Sequence, residues 1–398
     1  MNTGRLEDNG STHMVVASPP RPTAELFDRV RDLVRRRSTE YAPATMRVPL
    51  ARYRDTDVAA EEEAKIFKVT PLVVALSAAL PNPGDYVVRD MVGRSLIVSR
   101  GEDRRARVFA NACRHRGSRL AEGTGCARRF VCPYHGWSYD TTGAVVGLPG
   151  RKGFDDVDIA TIGLAELPSE ERYGFVWCSL EPGSTVDLPG HLGAFAPELA
   201  AFAYASYYAL PAMEVPVTAN WKCVLEAFYE TYHFPFVHPN SPVGMGTIAN
   251  TVSFDAFGHH ARLGVPLASM RDLPPDATSA DGEYVAVLYY IYPNVVVANS
   301  PIGCEVIEGW PSDAPNRSVL RHTFLSRTAP HDSAEADGFF TGYLEIIRAV
   351  VRDEDGPVLD RSGMGIASAV HAEVILGRNE PGCQHIHRQI AGATGADR

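Results

Sequence analysis

Two short clusters of metal-ligating residues stand close together in this 398-residue chain: Cys113-x-His115 and, sixteen residues later, Cys132-x-x-His135. Both lie in Asn111–Trp137, NACRHRGSRLAEGTGCARRFVCPYHGW, where Gly, Pro and Arg surround them as in a pair of ligand-bearing loops. Each loop offers one thiolate and one imidazole. A structural zinc site of Cys2His2 type more often groups both cysteines in one pair and both histidines in the other. Mixed pairs suit a [2Fe–2S] cluster in which Cys113 and Cys132 hold one iron while His115 and His135 hold the other. A second constellation follows in Asn220–Pro239, NWKCVLEAFYETYHFPFVHP. Glu226, Glu230 and His233 fall at i, i+4 and i+7, on one face of a helix predicted over Ala219–His233. Carboxylates and an imidazole are costly to bury unless they bind something. Pro235 must end or kink that helix, so His238 can swing back beside His233 to share a metal. Two imidazoles and one carboxylate leave open coordination positions, the arrangement that suits Fe(II). Taken alone, His-x4-His is as readily structural.

The elements that must position these residues read as two structural domains, because the chain is longer than one compact core usually holds. Leu26, Phe27, Val30, Leu33 and Val34 mark one apolar face of a helix over Ala24–Arg37, with Thr23 as its N-cap. A second short helix is predicted at Glu61–Phe67. From Asp85 the texture changes to short β-rich runs, Tyr86–Arg89, Ser95–Ser99, Arg107–Ala110 and Gly174–Ser179, punctuated by Gly and Pro. Those runs predict a small antiparallel β domain carrying the cluster loops. Beyond it, strands at Tyr284–Asn299 and Ser318–Ser326 and a helix at Ala334–Val351 follow without βαβ alternation, the mark of an α+β domain. The expected division is residues 1–20 as a leader or tag remnant, 21–70 as a helical segment packing on the catalytic domain, 71–183 as the cluster domain and 184–398 as the catalytic domain.

A net charge of −10 without a basic tract argues against a nucleic-acid partner. Arg35–Arg37 and Arg104–Arg107 are short and read as solvated surface. No apolar run approaches the ~20 residues of a bilayer span. Of seven cysteines, the motif uses two. The odd, scattered remainder suggests free thiols and a reducing, cytoplasmic setting, and no secretory pattern opens the chain.

With Gly117 after the first pair and Pro133, Gly136 and Trp137 around the second, the cluster spacing resembles the Rieske family. Asn220-Trp221-Lys222 ahead of His233 and His238 resembles the large (alpha) subunits of Rieske non-haem iron oxygenases, the aromatic ring-hydroxylating family. Tyr292-Pro293-Asn294 and Glu380–Arg388 extend the likeness over roughly residues 45–390. The resemblance implies a small antiparallel β Rieske domain plus a helix-covered antiparallel-sheet catalytic domain, with a Rieske [2Fe–2S] cluster and a mononuclear Fe(II). It implies His233 and His238 as iron ligands and Glu230 as the acid bridging to a Rieske histidine across a subunit boundary in an α3 ring. The third ligand falls in Asp353-Glu354-Asp355, with Asp355 preferred, Asp353 second and Asp360 in the place of a family Glu. Ala227 and Gly363 depart from the family's usual Asn and Gln. His385 and His387 read as packing or interface residues, and His259, His260 and His371 as structural.

Function implied by the resemblance is hydroxylation of a small organic, aromatic substrate with O2. Phe228, Phe234, Phe236, Tyr290 and Tyr292 are candidates to line its pocket. Electrons must come from a separate reductase or ferredoxin and reductase, since the chain has no flavin, nicotinamide or plant-type ferredoxin fingerprint. A beta subunit stays open. Glu rather than Asp at position 230 resembles the branch of quaternary-ammonium and N-demethylating monooxygenases, which is the alternative reading. A non-enzymatic Rieske electron carrier needs only one small domain and has no use for His233, His238 and Asp355.

Overall fold

The computed structural model describes residues 23–280, 283–331 and 333–395. The leader expected at 1–20 lies outside the described residues. Thr23 accepts a hydrogen bond from the Leu26 N–H at 3.2 Å and caps the helix Ala24–Arg36. That helix buries Leu26, Phe27, Val30 and Leu33 against the catalytic sheet, and Arg29 adds a 2.7 Å bond to Asp255. The second helix starts earlier than its predicted position. Asp55 accepts the N–H groups of Asp57 and Val58 and so launches Thr56–Glu62, which runs on as the π-helical turn Glu63–Phe67.

Three small antiparallel sheets make up the cluster domain. The largest runs Glu166–Leu167, Ala106–Ala110, Arg94–Arg100, Asp85–Met91, Thr124–Cys126. Leu72–Leu76 pairs with Phe175–Cys178, which pairs in turn with Ser169–Arg172, so the start and end of this region are hydrogen-bonded together. The third sheet, Arg129–Val131, Ser138–Asp140 and Val145–Gly147, carries the second cluster loop.

Eight antiparallel strands form the catalytic sheet, with Val295–Ser300 and Gly303–Pro311 near its centre. The run predicted at Tyr284–Asn299 is two strands, Val285–Ile291 and Val295–Ser300, reversed at Tyr292-Pro293-Asn294. Helices Trp221–Phe228, Gly356–Ser368 and Pro381–Thr394 share a core with this sheet through Val224, Leu225, Leu359, Ile386 and Ile390. Ala334–Ala349 leads through the π-helical turn Val350–Asp355 into Gly356–Ser368. Among the described residues no helix is long and apolar enough to cross a membrane.

Two buried ion pairs fasten these parts. Lys222 Nζ lies 2.7 and 2.8 Å from the carboxylate oxygens of Glu62, which also accepts the Trp221 indole N–H at 3.0 Å. Arg89, on a cluster-domain strand, reaches Glu308 of the catalytic sheet at 2.5 Å, and Trp310 donates to the same carboxylate at 2.7 Å. Breaking such a pair leaves an uncompensated charge in the interior. Lys222→Met is therefore expected to cost about 3–5 kcal/mol, seen as a lower urea midpoint. Adding Glu62→Gln to that variant should recover most of the loss. Equal losses in the single and double variants would show that the pair does not act as a unit.

Candidate metal centres

The two cluster loops repeat one turn. Gly117 N–H bonds the Cys113 carbonyl at 2.8 Å and Gly136 N–H bonds the Cys132 carbonyl at 3.0 Å. Both glycines are left-handed, with φ of 73° and 72°, which explains Gly at that step in each loop. Cys113 and Cys132 are buried. Burial opposes ionisation of the Cys132 thiol, but the Tyr134 and His135 N–H groups and Cys113 together hold it below its ordinary value. The imidazoles of His115 and His135 stand 4.5 Å apart, and Trp137 stacks on His115 at 5.1 Å. Nδ1 of each is buried with no hydrogen-bond partner in the chain. Two shielded thiols and two unpartnered imidazole nitrogens fit a [2Fe–2S] group held by mixed ligands.

The second centre corrects the helix expected over Ala219–His233. Asn220 caps it by accepting the Lys222 N–H at 3.0 Å, but it ends at Phe228. Glu230 takes the Tyr232 and His233 N–H groups that a continuing helix would give to carbonyls, and Pro235 opens the separate turn Phe234–Val237. Glu226 therefore leaves the shared face. Its Oε1 accepts from the Tyr53 hydroxyl at 2.8 Å and bonds His387 Nε2 at 2.7 Å. His385, by contrast, bonds the His259 carbonyl at 3.1 Å, and His260 is wholly buried with both ring nitrogens bonded to backbone.

After this break, His233, His238 and Asp355 converge. His233 Nδ1 is taken by Glu230, and His238 Nδ1 bonds Glu354 at 2.6 Å. Both Nε2 atoms are thereby turned inward, 3.2 Å from each other and 3.7 and 3.1 Å from Asp355 Oδ1. Two ligands about 2.1 Å from a metal at right angles are themselves about 3 Å apart, so the triangle fits one ion. Asp355 sits at the end of the π-helical turn and is almost fully buried. Asp353 is exposed and paired with Arg352 at 2.6 Å, away from the cluster. Burial opposes the charge on Asp355, yet hydrogen bonds from His233 and His238 hold its carboxyl below the usual range. Burial likewise opposes protonation of His233, but Asp355 and Glu230 push it up to about 9. A divalent cation entering here displaces a proton.

Gly363, where the family often has Gln, explains itself: a Cβ there would lie 1.8 Å from the Thr218 carbonyl oxygen, so the helix after Asp355 can approach only as glycine. Asp360 on that helix accepts the Thr218 N–H at 2.6 Å and has no contact with the histidines. Glu354 was not legible as a partner of His238, because the two are 116 residues apart and nothing local ties them.

A cavity of about 420 Å³ borders His233 and Asp355. Carboxylates of Glu226, Glu230 and Glu380 line it, together with Tyr53, His371 and aliphatic side chains including Val237, Val358 and Leu359. Burial, then the charges of Glu230 and Glu226, raise the Glu380 carboxyl above its ordinary value. None of the five expected aromatic residues lines it: Phe236 is 77% exposed, while Tyr290 and Tyr292 belong to the core, where packing claims them.

A mixed-ligand loop pair on a small β domain, joined to a helix-covered antiparallel sheet bearing two imidazoles and a carboxylate, defines the class of Rieske-type iron proteins with a second, mononuclear centre. Residues 70–164 match the Rieske [2Fe-2S] domain family, and residues 200–395 match the ring hydroxylating alpha subunit (catalytic domain) family. The chain belongs to the Rieske non-haem iron oxygenases as a large (alpha) subunit, a family whose groups are a [2Fe–2S] cluster and a mononuclear iron. It is 30% identical to the carnitine monooxygenase oxygenase subunit of Escherichia coli (strain K12) over 220 residues, 53% of this chain and 55% of that one. It is 32% identical to the large oxygenase component of the naphthalene 1,2-dioxygenase system of Ralstonia sp. over 194 residues, 47% of this chain and 43% of that one. The chain thus spans about half the length of these curated relatives. Its fold is similar to that of a quaternary ammonium Rieske monooxygenase, with a TM-score of 0.75 at 19% identity over 90% of this chain and 100% of the other.

Removing the carboxylate that orients a metal-binding imidazole typically weakens metal binding by about 10–100-fold. Glu354→Ala should do so here in an Fe(II) titration of the iron-depleted catalytic centre. Affinity equal to that of the parent would mean that Glu354 does not orient His238.

Proposed function

We propose that the chain is the terminal oxygenase of a multicomponent system that uses O2 to hydroxylate, and so to N-demethylate or cleave, a quaternary ammonium or N-methyl substrate. Electrons come from a separate reductase or from a ferredoxin and reductase. The observation that carries this reading is the carboxylate-lined cavity at His233 and Asp355. Three acidic side chains in one recess favour a cation, whereas a neutral aromatic ring would desolvate them without compensation. The carnitine-oxidising relative points the same way. Hydroxylation of an aromatic substrate is the second reading, favoured by the naphthalene dioxygenase relative.

In this reading Cys113, Cys132, His115 and His135 hold the cluster, and His233, His238 and Asp355 hold the mononuclear iron. The cluster supplies single electrons, and the mononuclear Fe(II) supplies the open coordination positions for oxygen chemistry. The protein's part is positional. Glu230 keeps the proton of His233 on Nδ1, which leaves Nε2 free as a ligand atom. Glu354 does the same for His238. In an α3 ring Glu230 also accepts from His135 of an adjacent copy, linking the two centres. Glu226 and Glu380 face the cavity and hold the substrate cation.

Oxygen uptake by the reconstituted system should respond to trimethylammonium acids and bases, with a product carrying one added oxygen or lacking a methyl group as formaldehyde. Uptake coupled only to neutral aromatic rings, with two oxygens added, would favour the second reading. Asp355→Ala should lower iron from about three to about two per chain while Asp353→Ala leaves about three. The reverse would transfer the ligand role to Asp353. Glu230→Ala should retain both metals yet lose oxidation of the cluster in a single turnover; normal cluster oxidation would remove Glu230 from the electron path.

A further inference from the structure

We infer that a groove at the C-terminal end of the helix Ala24–Arg36 binds an organic anion with an apolar body, at a site separate from the metal centre. The groove encloses about 750 Å³ and shares no lining residue with the cavity at His233. Four guanidinium groups line it, those of Arg31, Arg35, Arg37 and Arg271, in a chain whose net charge is −10. Such convergence runs against the charge of the whole molecule.

Local structure accounts for only part of it. Cations in the last turn of a helix answer the negative end of its dipole, which explains Arg35 and Arg36, and Arg36 is also paired with Asp32 at 3.0 Å. Arg31 is held over the Phe27 ring, donating to the Ala277 carbonyl and to Asp28, both at 2.6 Å. Arg271 comes from a different element, the short turn Ala268–Asp272, and owes nothing to that dipole. Neither Arg37 nor Arg271 has a side-chain hydrogen bond or ion pair among the described residues. Asp272 and Asp276 are near in sequence but are absent from the groove's lining.

Between these cations the groove is apolar, lined by Val34, Ile248, Met270 and Leu273. Unpaired guanidinium groups beside an apolar floor recognise a carboxylate or phosphate that carries a hydrocarbon body. The far wall includes Asn250, whose N–H bonds the Thr231 hydroxyl at 3.0 Å, one residue from Glu230. A ligand seated here therefore lies against the segment that supports the turn before His233.

Calorimetric titration of the iron-loaded full chain with octanoate, and with octan-1-ol as a neutral body of the same length, tests the site. Octanoate should bind saturably, more tightly than octanol, and about tenfold more weakly to Arg37→Glu/Arg271→Glu, as loss of charge-assisted bonds implies. Octanol binding should be the same in both proteins. Equal octanoate affinity in parent and variant would overturn the proposal. So would a change in oligomer size in the variant, since the groove would then be an interface between copies of the chain.

Discussion

The catalytic centre hangs from one short helix, Trp221–Phe228, and that helix is held by the buried pair of Lys222 and Glu62. Burial lowers the tendency of Lys222 to stay charged, and Glu62 restores it. Glu62 in turn belongs to the helical segment ahead of the cluster domain, so the N-terminal region and the active-site helix are placed by one interaction. Asn220 closes the start of the helix and donates to the Tyr53 and Pro315 carbonyls at 3.2 and 2.7 Å. With both ends of its geometry set, the point at which the helix stops decides everything downstream. Because it stops at Phe228, Glu226 meets Tyr53 and His387, while Glu230 turns back onto His233.

The two centres are built by contrasting means. The cluster loops are self-contained: each closes on itself through a Cys carbonyl and a left-handed glycine four residues later. Only their seating on the catalytic domain depends on distant contacts, chiefly Arg89 with Glu308 and Trp310. The second centre draws its groups from two regions of the chain and relies on the close approach of Gly363 to Thr218 to bring them together. Its imidazoles are aimed by carboxylates, one local and one remote. That pattern directs both Nε2 atoms to a common point without requiring a rigid helix beneath them.

Local chemistry was readable where the residues that cooperate are close in sequence. Cys113, His115, Cys132 and His135 carry their turn glycines with them, and the kink at Pro235 was enough to bring His238 beside His233. The helix boundary was misread because Glu230 competes for backbone N–H groups, an effect the i, i+4, i+7 spacing cannot reveal. The choice among neighbouring acids was equally hidden. Asp353 and Asp355 differ in sequence by two positions, and only the π-helical turn puts one inward and the other beside Arg352. The aromatic residues near the motif suggested an apolar pocket, but tertiary packing buried two in the core and left Phe236 in solvent.

The sequence by itself thus determined the donor atoms, the two-domain α+β plan and the order of strands and helices, because thiolates, imidazoles, glycines and prolines act through short-range geometry. Tertiary structure decided which carboxylate joins the histidines, that Glu354 orients His238, and that the adjoining cavity is acidic. Those outcomes depend on which side chains from remote segments share a buried volume, where the cost of an unpaired charge selects the partners.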